Sequence, residues 1–317
     1  MIGRLIGLRT PVLTGVFVWA ALLLSGCATP QVALLDAQWP PELPAQVALS
    51  RVPFFPQEDY ECGPAALAMV ANAAGVRVTP DALVDQVYLP GRQGSLQPEM
   101  LAVTRRQGLL AYPLQPSIEV VLREVAAGNP VLVFQNLAFS IYPVWHYAVV
   151  MGYDRARHVL LLHSGVTARM EISLFAFERT WARGQYWAML ALKPGQLPAT
   201  AEPQTYTAAA ATLERTDARG AQQAFAAALQ RWPDERAALL GAGNSAYALG
   251  QREAAATAYR QTVFKHPDFA DGWNNLAQVL MELGRHAEAS QAIARAVALG
   301  GERLPDYLTL QAQIDQK

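Results

Sequence analysis

Gln57-Glu58-Asp59-Tyr60-Glu61-Cys62-Gly63-Pro64-Ala65-Ala66-Leu67-Ala68-Met69 is the stretch on which the reading of this chain turns. From Cys62, small and apolar residues run without a breaker to Ala74 and stop at Gly75, which predicts a helix over Cys62–Ala74. Cys62 then stands in its first turn, where unpaired N–H groups and the positive end of the helix dipole stabilise a thiolate. Gly63 and Pro64 suit that place, since proline is tolerated in a first turn and has no N–H to leave unpaired. Gln57 lies just upstream and can offer a side-chain N–H to an oxyanion held beside the Cys62 backbone N–H. The bland reading of a free cysteine is a small buried hydrophobe. Against it, Cys27 is the one other cysteine in the chain, and it has a different use, argued below.

A thiol needs a base, and the sequence supplies His146 in Val144-Trp145-His146-Tyr147-Ala148-Val149-Val150-Met151-Gly152-Tyr153-Asp154. It opens an apolar run expected to be a strand, which is a rigid platform for an imidazole. A lone histidine at a strand start is more often structural; the cysteine segment is what singles this one out. Further helices are expected over Pro98–Gln107 and about Ser117–Ala127. Strands are expected at Pro130–Gln135, Tyr147–Tyr153, Val159–His163 and Tyr186–Leu192. Helices first and strands later is an α+β order.

These two segments resemble the peptidase domains that remove double-glycine leaders from bacteriocins, cysteine peptidase family 39, over roughly Arg51 to Leu192. The resemblance implies a papain-like cysteine peptidase domain with Cys62 as nucleophile, His146 as general base and Gln57 as the oxyanion glutamine. Gln57 lies five residues before Cys62, one fewer than the family's usual spacing. The acid that usually follows the histidine, in an Asp-Pro pair, is missing, and His163-Ser164-Gly165 stands near its place. Asp154 cannot replace it, because eight extended residues put it about 26 Å from His146. If the chain turns across Asp154–Arg157, pleat parity puts His163 on the face of His146, while Ser164 reaches that face only after a one-residue shift. Either could accept a hydrogen bond and fix the imidazole tautomer, and neither stabilises imidazolium as a carboxylate does.

At the N-terminus, Arg4 and Arg9 precede an apolar run from Val12 to Leu24, then Leu24-Ser25-Gly26-Cys27. The order is that of an export signal, and the run is short for a membrane span of ~20 residues. The last four residues resemble a bacterial lipobox, which implies a signal peptide over 1–26 and lipidation of Cys27. Ala28, not Asp, follows, which by the same resemblance implies the outer membrane facing the periplasm. The proline-rich stretch 27–50 reads as a spacer between the anchor and a peptidase domain over 51–193. A Pro- and Ala-rich linker covers 194–204.

Beyond it the sequence repeats every 34 residues: Phe225, Tyr259 and Ile293; Ala221, Ala255 and Ala289; Pro233 and Pro267; Gly250 and Gly284. With Trp273-x-x-Leu276 this resembles tetratricopeptide repeats, about three units over 205–303, the first with Thr216 in the glycine position. Residues 304–317 are read as a tail. The expected architecture is an α+β papain-like cysteine peptidase domain followed by an all-α tetratricopeptide-repeat solenoid.

Net charge is -1 with no long basic run, so no nucleic-acid partner is expected. No cofactor or metal is expected either, since His146, His158 and His163 lack a second cysteine or a close acidic set. The expected partners are a peptide or protein substrate, a protein on the repeat surface, and a membrane through the lipid anchor. Two functions stay open: a membrane-anchored cysteine peptidase working through a Cys62 thioester, and a catalytically impaired peptidase-like binding or scaffold module in envelope assembly.

Overall fold

The computed structural model describes residues 29–57 and 61–316; the expected signal peptide over 1–26 and the expected lipidation site Cys27 lie outside them. The chain enters through a short helix, α1 (Pro30–Ala37), and a strand, β1 (Gln46–Ala48). This corrects the expectation of a free spacer. Val32, Leu35 and Leu43 are buried, and β1 pairs antiparallel with the sheet. The buried carboxylate of Glu178 accepts from the N–H groups of Gln31 and Val32 at 3.0 and 2.8 Å, meeting the orphan donors of the α1 start.

Helix α2 (Cys62–Ala73) follows, and every residue from Gly63 to Ala71 is buried. A helix apolar on all sides must lie inside, and its alanines let it sit close against a sheet. Gly75, at φ +89°, ends it in the left-handed conformation that glycine takes without strain. Next come α3 (Asp81–Val87), a small hairpin of β2 (Tyr88–Leu89) and β3 (Gly94–Ser95), α4 (Gln97–Arg106), β4 (Leu110–Pro113) and α5 (Ile118–Ala126). The remaining strands are β5 (Val131–Asn136), β6 (Trp145–Asp154), β7 (Val159–Ser164), β8 (Thr167–Ser173) and β9 (Ala188–Leu192), with α6 (Leu174–Arg183) between the last two.

Apart from the β2–β3 hairpin, the strands form one antiparallel sheet in the order β4-β9-β5-β6-β7-β8, with β1 alongside the end of β6. Side-chain alternation along β6 divides the interior into two layers. Tyr147, Val149 and Met151 pack with α2, α3 and α4; Ala148, Val150 and Tyr153 pack with α1, α5 and α6. Met151 is a bulge: Val150 pairs with Leu162 and Gly152 with Leu161, so the register slips by one. Gly152 has no room for a side chain, because a Cβ there would lie 2.5 Å from the Val47 carbonyl on β1.

Seven helices close the chain: α7 (Pro203–Ala211), α8 (Ala218–Arg231), α9 (Arg236–Ala248), α10 (Arg252–Lys265), α11 (Ala270–Glu282), α12 (His286–Leu299) and α13 (Leu304–Ile314). The first six pair into three helical hairpins, and glycines sit where the helices cross. A Cβ on Gly241 would lie 2.2 Å from the Phe225 ring, and one on Gly243 2.2 Å from Tyr259, the two aromatics spaced by one repeat. Two expectations change here. The last helix is a cap, not a tail, and buries Tyr307, Leu310 and Ile314. The segment before α7 is not a free linker: Ala199 and Thr200 N–H groups donate to the buried Glu124 carboxylate, and Gln196 to Asn129. Tyr206, Phe225 and Ala238 from α7–α9 belong to the same core as Tyr112 and Trp181 of the preceding domain.

Candidate active site

Cys62 is the first residue of α2, at the mouth of a cleft of about 790 Å³. Helix packing against the sheet buries most of the thiol, and this pushes its pKa above the ordinary value. The backbone N–H groups of Tyr147, Gly63 and Cys62 itself pull it part of the way back. The helix N-terminus therefore acts as expected in direction, while desolvation wins in magnitude.

His146 lies near the start of β6 and lines the same cleft. Its Nε2 is 2.8 Å from the Ser164 hydroxyl oxygen. Burial disfavours the charged ring and holds its pKa down to about 4. Burial therefore disfavours the charged form of both the Cys62 thiol and the His146 imidazole. Among the described residues no hydrogen bond joins the two, and catalytic hydrogen bonds often tighten only when substrate is bound.

The bulge at Met151 decides which candidate meets His146. An uninterrupted β6–β7 register would place His163 on its face; the one-residue slip pairs Val149 with His163 and turns Ser164 to His146 instead. His163 is occupied elsewhere. Its Nδ1 accepts from the Arg169 N–H, its Nε2 donates to the Val52 carbonyl, both at 3.2 Å, and its ring packs on Phe54. The expectation that His163 could orient the base is corrected by these bonds.

Gln57 lines the cleft with Cys62 and His146. Its N–H donates to the Gly165 carbonyl at 3.3 Å and its side-chain amide to the Tyr147 carbonyl at 3.4 Å, so it is tied to the strand that carries the histidine. Several cleft residues escaped the sequence reading. Ser95 is buried against Gly63, where a Cβ would come 2.2 Å from its Oγ. Gln93 and Gln185, at φ +48° and +59°, hold strained conformations on the cleft walls. Trp145 stacks on Phe134 at 5.1 Å. The Pro90-Gly91-Arg92-Gln93-Gly94 turn signal could have pointed to Gln93; nothing in the sequence marks Gln185.

A cysteine at the head of a buried helix, a histidine on the strand beside it and a glutamine lining the same cleft sit in an α+β domain followed by helical hairpins. The comparisons fit this arrangement. Residues 49–189 match the model of the Peptidase_C39-like family, and residues 240–303 match a tetratricopeptide-repeat model. The chain is thus similar to Peptidase_C39-like domains over its first folded region and to tetratricopeptide repeats over its later helices. A solved Bacillus anthracis chain assigned as a C39-like peptidase is 20% identical with a TM-score of 0.39, the match covering 47% of this chain and 98% of that one. The double glycine motif protease of an AMS/PCAT transporter, solved in complex with the leader peptide, is also 20% identical, with a TM-score of 0.34, covering 46% and 98%. No curated protein matches the chain.

Proposed function

We propose that the protein is a membrane-anchored cysteine peptidase, with Cys62 as nucleophile, His146 as base, Ser164 as its orienting partner and Gln57 as an oxyanion donor. One observation carries the reading: Gln57, Cys62 and His146 line one cleft, and Ser164 occupies Nε2 of the imidazole. With Nε2 so engaged, Nδ1 is the nitrogen free to exchange a proton with the thiol. His146 takes the Cys62 proton as sulfur attacks the peptide carbonyl carbon, and the oxyanion rests on the Gln57 amide and the Cys62 N–H. His146 then passes the proton to the leaving amine nitrogen, the C–N bond breaks and a thioester remains. Water attacks the thioester, giving its proton to His146 and restoring the thiol. The repeats present a concave surface for a protein partner or substrate, and lipidated Cys27 anchors the chain to the outer membrane.

The test is labelling of Cys62 by a peptide carrying a thiol-reactive warhead, read by mass spectrometry. His146→Ala should slow it about 10²–10⁴-fold. A second reading, a peptide-binding module without turnover, draws on the raised thiol pKa, the low imidazole pKa and the serine where an acid is usual. In that case Cys62 reacts like a model thiol and His146→Ala changes nothing.

A further inference from the structure

Residues 125–153 contain no Asp, Glu, Lys or Arg. In the middle of that stretch the chain leaves β5 and returns into β6 through a built hairpin. Phe139 and Tyr142 form a β-bridge, and the Tyr142 N–H donates to the Phe139 carbonyl at 3.1 Å. Asn136 locks its base: Oδ1 accepts from the Ala138 and Val144 N–H groups at 3.1 and 3.0 Å. The Asn136 carbonyl accepts from the Arg183 guanidinium at 3.1 and 3.0 Å. The tip so held leaves Phe139, Ile141 and Tyr142 exposed at 77%, 81% and 77%. Val166, on the β7–β8 turn at the same end of the sheet, is exposed at 77%.

We infer that this hairpin docks into a lipid surface and seats the mouth of the Cys62 cleft at the membrane–water interface. A bound peptide needs concave walls for its side chains, and a tip more than three-quarters exposed gives none. A projecting apolar tip without charge, with Tyr142 and the half-exposed Trp145 behind it, suits the boundary between headgroups and acyl chains. No described helix is long and apolar enough to cross a membrane. The start of the described chain lies nearby. Glu178 of α6 holds the N–H groups of Gln31 and Val32, and Arg183, five residues or about 7.5 Å further along the same helix, holds the hairpin base. One helix therefore holds both the start of α1 and the base of the hairpin. Val144, Trp145 and Val166 line the cleft itself, so docking would present the thiol to peptides lying at the bilayer surface.

The test leaves out Cys27, so its result does not depend on lipidation. A chain starting at Ala28 keeps its fold, because all three hydrophobic clusters lie between Val32 and Ile314. It is mixed with vesicles of phosphatidylethanolamine and phosphatidylglycerol and floated on a density gradient. The chain should float with the vesicles, and the double variant Phe139→Asp/Ile141→Asp should lower its partition at least about tenfold. Phe264→Asp, at an 82% exposed site on α10, should float like the parent. Circular dichroism melts check that the variants stay folded. A parent that stays in solution, or a double variant that floats fully, overturns the inference. So does a parent that stays in solution while the double variant slows Cys62 labelling by an apolar peptide warhead, which would make the tip a peptide surface.

Discussion

Ser164 meets the His146 imidazole through one hydrogen bond, and its chemistry bears on the proposed role of that ring as a base. A hydroxyl at Nε2 adds no charge to offset the burial that holds the ring's pKa down to about 4. Ser164→Ala should slow warhead labelling roughly fivefold to tenfold, the worth of one neutral hydrogen bond. Ser164→Asp puts a carboxylate beside the ring, stabilises imidazolium and should speed labelling near pH 7. His163→Ala should lower Tm, since it removes the Val52 and Arg169 bonds, and leave the labelling rate as it was. The pH profile follows from the same burial. Labelling should be flat between about pH 5 and 8, fall as His146 takes a proton below about 4, and rise where the raised thiol ionises, above its ordinary value of about 9. Stability follows with a definite sign. An unfolded histidine titrates near 6.5 and the folded one near 4, so the unfolded chain binds the extra proton in that interval. Stability is therefore lost as pH falls from 6.5 to 4, by at most about 3 kcal/mol. Urea midpoints of the parent and His146→Gln across this interval should converge at the acid end.

Elements place these residues, and the contact of α2 with β3 is the tightest of the placements. A Cβ on Gly63 would lie 2.2 Å from Ser95 Oγ and 2.6 Å from its Cβ. Gly63→Ala should cost about 1–3 kcal/mol by overpacking, and Ser95→Gly in the same chain should recover most of it, a coupling read from a double-mutant cycle in urea. The sequence shows α2, α4 and α5, which end just before Gly75, Gly108 and Gly128, and the strands β5, β6, β7 and β9, which are apolar runs. It shows Gln57, Cys62 and His146 because a cysteine ahead of Gly-Pro and a histidine opening an apolar run are local signals. Ser164 over His163 is not local: it depends on a bulge at Met151, beside a Gly152 that is closed in by β1 and β7. The edge strand β8 is mostly exposed and carries Arg169 and Glu171, so no apolar run marks it. Helix α1 hides within a proline-rich stretch and is held by Glu178, 146 residues away.

At the scale of the whole molecule, the first repeat belongs to the domain it follows. Tyr206 of α7 is fully buried, packs against Tyr112 of β4 with ring centres 6.4 Å apart, and donates its hydroxyl proton to the Gln196 carbonyl. Thr200, between them, gives both its N–H and its hydroxyl to Glu124 of α5. A chain arranged this way has no seam at residues 194–204, although their composition reads as a linker. The distal helices α10–α13 are different, with a cluster of their own around Tyr259, Leu280 and Ile293. Truncating Tyr206 removes a ring from the shared core and should cost about 3–5 kcal/mol. If α7–α9 fold with the sheet, Tyr206→Ala makes Cys62 accessible to a small thiol reagent at lower urea, by the same shift that far-UV circular dichroism shows for the first helices to melt. Ile293→Ala, of similar cost, should melt distal helices and leave the Cys62 midpoint where it was. Trypsin should then cut within α10–α13 before it cuts at Lys193. A Cys62 midpoint unmoved by Tyr206→Ala, with early cleavage at Lys193, would show two independent domains joined by a loose segment.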